Sequence, residues 1–111
     1  MKIITGGVCA PKGFTANGIH CGILQNKIKK DLALILSEVK ATTAAVYTTN
    51  LVKGAPLAVT KMHLMDGKAQ AVICNSGNAN TCNANGIEIA EKMSELCAAE
   101  LGILTDDVVV A

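Results

Sequence analysis

The run Ala71-Val72-Ile73-Cys74 is uninterrupted apolar sequence that stops at Asn75, and five asparagines fall between positions 75 and 85 before helical periodicity begins. A short apolar run bounded by turn residues is a buried strand, so this part of the chain is committed to strand, amide-rich loop and helix. Proteins built from strands and helices commonly place their chemistry at such a junction. Asparagine offers donors and an acceptor without charge and tolerates left-handed backbone angles. Asn75, Asn78 and Asn80 are therefore candidates for contacting a polar ligand, set against the plainer role of building the turn and capping the helix.

With 111 residues the chain makes one domain at most, enough for a core but small for an enzyme. Half the residues are hydrophobic, yet there is one Phe, one Tyr and no Trp, so the core must be built from Ala, Val, Ile, Leu, Met and Cys. Ten basic residues against nine acidic ones, with no basic block, argue against a nucleic-acid partner. The five cysteines, at positions 9, 21, 74, 82 and 97, show neither a Cys-x-x-Cys pair nor zinc spacing. Their odd number and apolar neighbours predict buried free thiols and a reducing compartment. No run approaches the roughly 20 apolar residues of a membrane span, and the start lacks a signal-peptide pattern, so no membrane association is expected and the cytoplasm is the expected location.

Residues 3–14 combine Gly6-Gly7 with Pro11 and predict an extended entry segment. A glycine-interrupted strand is expected over 14–23, a turn over Gln25–Asp31, and strands over Leu32–Ser37 and Ala41–Asn50, giving an antiparallel meander. Pro56 and Gly67 bracket a helix over Leu57–Asp66, with Ala55, Val59, Met62 and Met65 near helical spacing. A strand over 69–74 leads into the asparagine loop. The following helix carries Ile89, Met93, Leu96, Cys97, Leu101 and Leu104 on one face, acidic residues and Lys92 on the other, and Gly102 at its end. Val108-Val109-Val110-Ala111 is a last apolar strand. The fold class is α+β, a mixed sheet of about five strands with two helices on at least one face. Closing on an apolar strand without a polar tail predicts that residues 1–111 form a single incomplete domain.

Individual catalysts are sparse. His20 beside Cys21 suggests a nucleophile and base, but neighbours on a strand point to opposite faces. Thr42 and Thr43 follow Lys40-Ala41, as a self-released threonine nucleophile would, yet strand propensity explains them better. The glycines around positions 6–13 match no phosphate-cradling pattern. Asp106-Asp107 most simply form a turn, and His63, without a second ligand at i+4, is expected to pack or face solvent and not to bind metal.

Taken in order, Gly6-Gly7-Val8-Cys9-Ala10-Pro11-Lys12-Gly13-Phe14, Asp31-Leu32-Ala33-Leu34-Ile35, Thr48-Thr49-Asn50, Ala55-Pro56 and Asn75-Ser76-Gly77-Asn78-Ala79-Asn80 strongly resemble the N-terminal part of the ornithine acetyltransferase family, the glutamate N-acetyltransferases of arginine biosynthesis. The resemblance runs from about Gly6 to Ala111, with Cys9 standing where threonine is more usual. It implies ping-pong transfer of an acetyl group from N-acetylornithine to glutamate, with acetyl-CoA a further candidate donor and no cofactor. It also implies a precursor that cleaves itself before a threonine, which becomes the nucleophile, and an α2β2 assembly in which the rest of the α chain and the β chain are the partners. The family's Lys-Gly-Ala-Thr cleavage site and the Thr-Gly of its oxyanion hole, which follows the strand matching Val108-Val109-Val110, are both absent from this sequence. The chain is thus expected to be an inactive N-terminal fragment of the α chain. The competing expectation is a non-catalytic α/β binding or assembly module.

Overall fold

The computed structural model describes residues 1–25 and 28–111. Among these, four strands form one sheet in the order β1-β2-β3-β4: β1 is Phe14–Ile19, β2 Leu32–Thr42, β3 Lys68–Asn75 and β4 Val108–Val110. β1, β2 and β3 pair antiparallel, and β4 lies parallel to β3. A parallel neighbour needs a crossover, and helix α2, Gly86–Leu101, supplies it. Helix α1, Ala55–His63, fills the connection from β2 to β3. Pro56 presets its first turn, and the short turn after it ends at Gly67 with φ 69°. Gly102, with φ 68°, ends α2 in the same left-handed way.

Register fixes which residues meet. Pairing of Leu34 with Ile73, Leu36 with Ala71, and Ala71 and Ile73 with Val108 and Val110 puts these side chains on one sheet face. Val59 of α1 and Ala90, Cys97 and Ala98 of α2 close over that face, making a fine-grained core. The buried positions of α2 include the small residues Ala90, Ser94 and Ala98. Ser94, fully buried, turns its hydroxyl back to Glu91 O at 2.8 Å.

Several expectations are corrected. The strand expected over Ala41–Asn50 does not form: β2 itself runs on to Thr42, past an irregularity between Leu36 and Ala41, and residues 43–50 are irregular. The place beside β2 that this stretch was expected to take is occupied by β3, so strand composition alone does not make it a strand. The meander exists, but its third strand is β3. β1 ends at Ile19, four residues early. On α1 the buried residues are Pro56, Val59, Thr60 and His63, while Met62 and Met65 are exposed. On α2 the buried stripe is Ala90, Ser94, Cys97 and Ala98, whereas Leu96 is exposed, as is Leu104 beyond the helix. Met93 and Leu101 do pack against the core, half-buried, while the fully buried positions go to small residues. Cys9, Cys21 and Cys82 are exposed, Cys74 is half-buried and only Cys97 of the five is buried, all as free thiols. Residues 26 and 27 of the expected Gln25–Asp31 turn lie outside the described residues.

Much apolar surface stays open. The Cα radius of gyration is 14.6 Å, above the roughly 13 Å expected for a closed domain of this length. On the face away from the helices, Phe14, Ile35, Val72 and Val109 line a depression of about 320 Å³. Beside α2, an apolar groove of about 320 Å³ over β1 and β2 is lined by Ile19, Leu34 and Leu101. No helix among the described residues is long and apolar enough to cross a membrane.

Candidate functional site

The carboxyl ends of β3 and β4 lie side by side. Ala111 N–H donates to Ile73 O and Asn75 N–H donates to Ala111 O, each at 2.9 Å. In open sheets, ligands gather outside the carboxyl ends of parallel strands, and the asparagine loop begins at that place.

The loop is held mainly by its own amides. Asn75 Nδ2 donates to Asn78 O at 3.0 Å, and Asn80 N–H donates to Asn78 Oδ1 at 3.1 Å. Asn80 is buried with φ 45°, the left-handed region that asparagine tolerates. Its Nδ2 donates to Gly86 O at 2.7 Å and its Oδ1 accepts from Asn83 Nδ2 at 3.0 Å. A Cβ on Gly86 would lie 2.7 Å from Asn80 Oδ1 and 2.8 Å from Ala55 Cβ, so the loop closes onto the start of α2 only because residue 86 has no side chain. Asn85 stands at the N-cap without a side-chain capping bond, so the expected capping role is not realised. Ala55 N–H donates to Asn80 O at 3.0 Å, tying the loop to α1 as well.

Asn75, Asn78 and Asn80 come together along one groove of about 480 Å³, otherwise lined mainly by apolar side chains such as Ile23, Leu32, Ile73 and Met93. Asn75 Oδ1 and Asn78 Nδ2 have no hydrogen-bond partner among the described residues, whereas the Asn80 amide is engaged at both ends. Across the loop, a cleft of about 660 Å³ opens between the amino ends of α1 and α2, bordered by Lys53, Lys61, Asn83 and Glu88.

The opposite rim depends on Asp31, which the sequence did not single out. Its side chain is buried and accepts N–H bonds from Cys21 at 2.6 Å, Gly22 at 3.2 Å and Leu24 at 2.9 Å. Burial alone would raise its pKa, but these backbone donors, the Cys21 thiol and the nearby His20 hold the carboxyl far below the usual carboxylate range. Asp31 O accepts from Ser76 N–H at 2.8 Å, so one residue joins the 21–24 loop to the asparagine loop.

The remaining candidates separate. His20 and Cys21 lie beyond the end of β1, and both meet Asp31: His20 Nδ1 is 3.1 Å from Asp31 Oδ2. Partial burial and the Asp31 carboxylate push the Cys21 thiol up, which suppresses the thiolate a nucleophile requires. Thr42 ends β2, and Thr43 Oγ1 donates to Ala41 O at 3.2 Å. Asp106 and Asp107 form a short turn, with Asp107 buried against Lys40 Nζ at 2.8 Å. His63 is a packing residue, its Nδ1 2.9 Å from Val108 O. Among the described residues no group of three or more His, Cys, Asp and Glu could hold a metal ion.

A family model described as the ArgJ family matches residues 15–111. The chain belongs to the ArgJ family. It is 48% identical over 111 residues to the arginine biosynthesis bifunctional protein ArgJ of Caldanaerobacter subterraneus subsp. tengcongensis, covering 99% of this chain and 27% of that protein. The ArgJ of Streptococcus thermophilus is 45% identical over 113 residues, with 28% of its length covered. The chain thus spans little more than a quarter of these relatives. The crystal structure of the Bacillus halodurans ArgJ superposes with a TM-score of 0.90 at 44% identity, over 96% of this chain and 56% of that one. The ornithine acetyltransferase of Mycobacterium tuberculosis, solved in complex with ornithine, gives 0.87 at 38% identity, over 95% and 57%. The α+β fold with a mixed sheet and two helices is therefore that of ArgJ structures.

Proposed function

We propose that this chain is the N-terminal part of the α portion of an enzyme that transfers the acetyl group of N-acetylornithine to glutamate in arginine biosynthesis. The observation that carries this is the TM-score of 0.87, at 38% identity, to an ornithine acetyltransferase crystallised with ornithine. We further propose that the enzyme is made as a self-cleaving precursor. The segment that makes up 27% of a curated relative makes up 56% of a crystallised ArgJ chain, so that crystallised chain is about half as long as the curated relative, as a cleaved product would be.

In this mechanism the nucleophile is a threonine freed by cleavage downstream of the matched region, whose own α-amine deprotonates its hydroxyl. This chain supplies the frame. The adjacent ends of β3 and β4 and the asparagine loop form one wall of the site, with Asn75 Oδ1 and Asn78 Nδ2 facing the polar part of the substrate and Asn80 shaping the loop. The partners are the rest of the α chain and the β chain in an α2β2 enzyme. Their proposed seats are the open apolar depressions on both sheet faces, which a chain complete in itself would bury. The substrates are the two amino-acid derivatives, with acetyl-CoA a further candidate donor, and the proposed location is the cytoplasm.

The test is direct. The complete protein carrying this chain is assayed for acetyl transfer from N-acetylornithine to glutamate, alongside residues 1–111 alone. Turnover by the complete protein and none by the isolated chain is expected. Turnover by the isolated chain refutes the division of labour, and inactivity of the complete protein refutes the reaction.

A further inference from the structure

Among the described residues β4 is an edge strand, so one row of its backbone groups has no neighbouring strand there. Helix α1 fills that place with side chains. The Thr60 hydroxyl donates to Val110 O at 2.9 Å and accepts from Val110 N–H at 3.1 Å, standing in for both bonds of an absent strand residue. His63 Nδ1 reaches Val108 O, one strand step earlier, at 2.9 Å.

On its other side β4 is held by β3. Ala111 N–H donates to Ile73 O, and Ala111 O accepts from Asn75 N–H. The pair Val110-Ala111 is therefore gripped from both sides, and Asn75, the last residue of β3 and the first of the asparagine loop, is tied to it on one edge while pairing with Leu32 of β2 on the other. Asn75 Nδ2 continues the line to Asn78 O, and the far side of the loop returns to α1 through the bond from Ala55 N–H to Asn80 O. One helix thus grips both sides of the loop, and one of the two grips passes through a single hydroxyl. Burial alone does not call for that hydroxyl: Thr60 is almost fully buried, and valine has nearly the same shape.

We propose that Thr60 is a positioning residue for acetyl transfer: its two-way bond to Val110 sets where the ends of β3 and β4 lie, and so where the Asn75 and Asn78 amides stand against the reacting acyl group. This rests on the acetyl-transfer function proposed above. Removing the hydroxyl frees the strand end to shift, and displacements near 1 Å are enough to lower a rate about 10²-fold. The effect falls mainly on kcat, because a small misalignment of the amides against the reacting acyl group costs more in the transition state than in the bound substrate.

The experiment compares Thr60→Val and Thr60→Ser in the complete protein, measuring kcat and KM for N-acetylornithine together with backbone amide exchange at Asn75 and Val110. Expected for Thr60→Val are a kcat lowered about tenfold or more, a KM changed far less, and faster exchange at Asn75, with Thr60→Ser restoring kcat and exchange. A Thr60→Val enzyme that keeps its kcat and loses only thermal stability overturns the proposal. Thr60→Cys, with its weak S–H donor, serves if the valine variant does not fold: a partial loss of kcat is expected, and full kcat refutes positioning. If the wild-type protein transfers no acetyl group, the proposed function fails and the role in acetyl transfer falls with it; the exchange experiment then decides separately whether Thr60 positions Asn75, unchanged protection in Thr60→Val overturning that and faster exchange upholding it.

Discussion

Replacing Asn80 by alanine should destabilise the protein by about 2–4 kcal/mol, a large effect for a loop residue. Two contributions are separable. The side chain makes two buried or half-buried hydrogen bonds, to Gly86 O at 2.7 Å and from Asn83 Nδ2 at 3.0 Å. Each contributes about 0.5–1.5 kcal/mol, and the Gly86 carbonyl left behind is poorly placed to recover a partner. The backbone is at φ 45°, where alanine is disfavoured by about 1–2 kcal/mol and asparagine is tolerated. Asn80→Gly removes the same hydrogen bonds without the backbone penalty, so it should be milder than Asn80→Ala by about 1 kcal/mol. Urea unfolding of the two variants and the wild type reads both terms from the midpoints at constant slope. An alanine variant within about 0.5 kcal/mol of wild type, or a glycine variant less stable than the alanine one, would refute the assignment of Asn80 as the loop's internal tie.

The loop makes further predictions. Gly86→Ala must push its Cβ into Asn80 Oδ1 and Ala55 Cβ, at 2.7 and 2.8 Å, and should destabilise by about 1–3 kcal/mol in thermal unfolding; a neutral result means the α1, α2 and loop contact is looser than described. Asn78→Ala in the complete protein should lower acetyl transfer by more than its stability loss explains: its Nδ2 is free of partners among the described residues, while losing the Oδ1 acceptor of Asn80 N–H costs about 0.5–1.5 kcal/mol; a fall in activity no larger than the loss of folded protein argues for a structural role alone. Asp31 carries a pH prediction. Its folded pKa is depressed, so its contribution is fully present above the unfolded value of about 3.9 and is lost only as the pH falls towards the depressed folded value. Acid titration of stability should therefore flatten below pH ~4 in Asp31→Asn relative to wild type, and parallel acid limbs in the two proteins would exclude Asp31 as the source.

Element types were largely legible because they rest on periodicity and punctuation within the chain. The apolar run 71–74 became the centre of β3, Pro56 and Gly67 bounded α1 and its closing turn, and Gly102 ended α2. What failed depended on neighbours. Residues 43–50 have strand composition, but a strand exists only where a partner edge is free, and composition carries no information about edges. The face of α2 was read only in part. Cys97 is buried and Met93 and Leu101 pack against the core as their spacing suggests, but Leu96 is exposed and the most buried positions are the small residues Ala90, Ser94 and Ala98. Ile89, Met93 and Leu96 border the groove that carries the asparagine amides.

The candidate site was legible as a polar loop, and what supports that loop was not. Five asparagines in eleven positions announce a polar loop, and the three singled out do share one groove. Which amide is structural and which is available depends on burial and φ, and these separate Asn80 from Asn75 and Asn78 although the residue type is the same. Asp31 and Thr60 left no local signal: one is an acid before an apolar run, the other a threonine inside a helix. Each acts on residues far away in sequence, Asp31 across to Ser76 and Thr60 across fifty positions to Val110. Both bind backbone groups, so the identity of the residues they hold is not written in the side chains they meet. A residue whose role is to terminate another segment's backbone hydrogen bonds can be recognised only once the fold has brought that backbone to it.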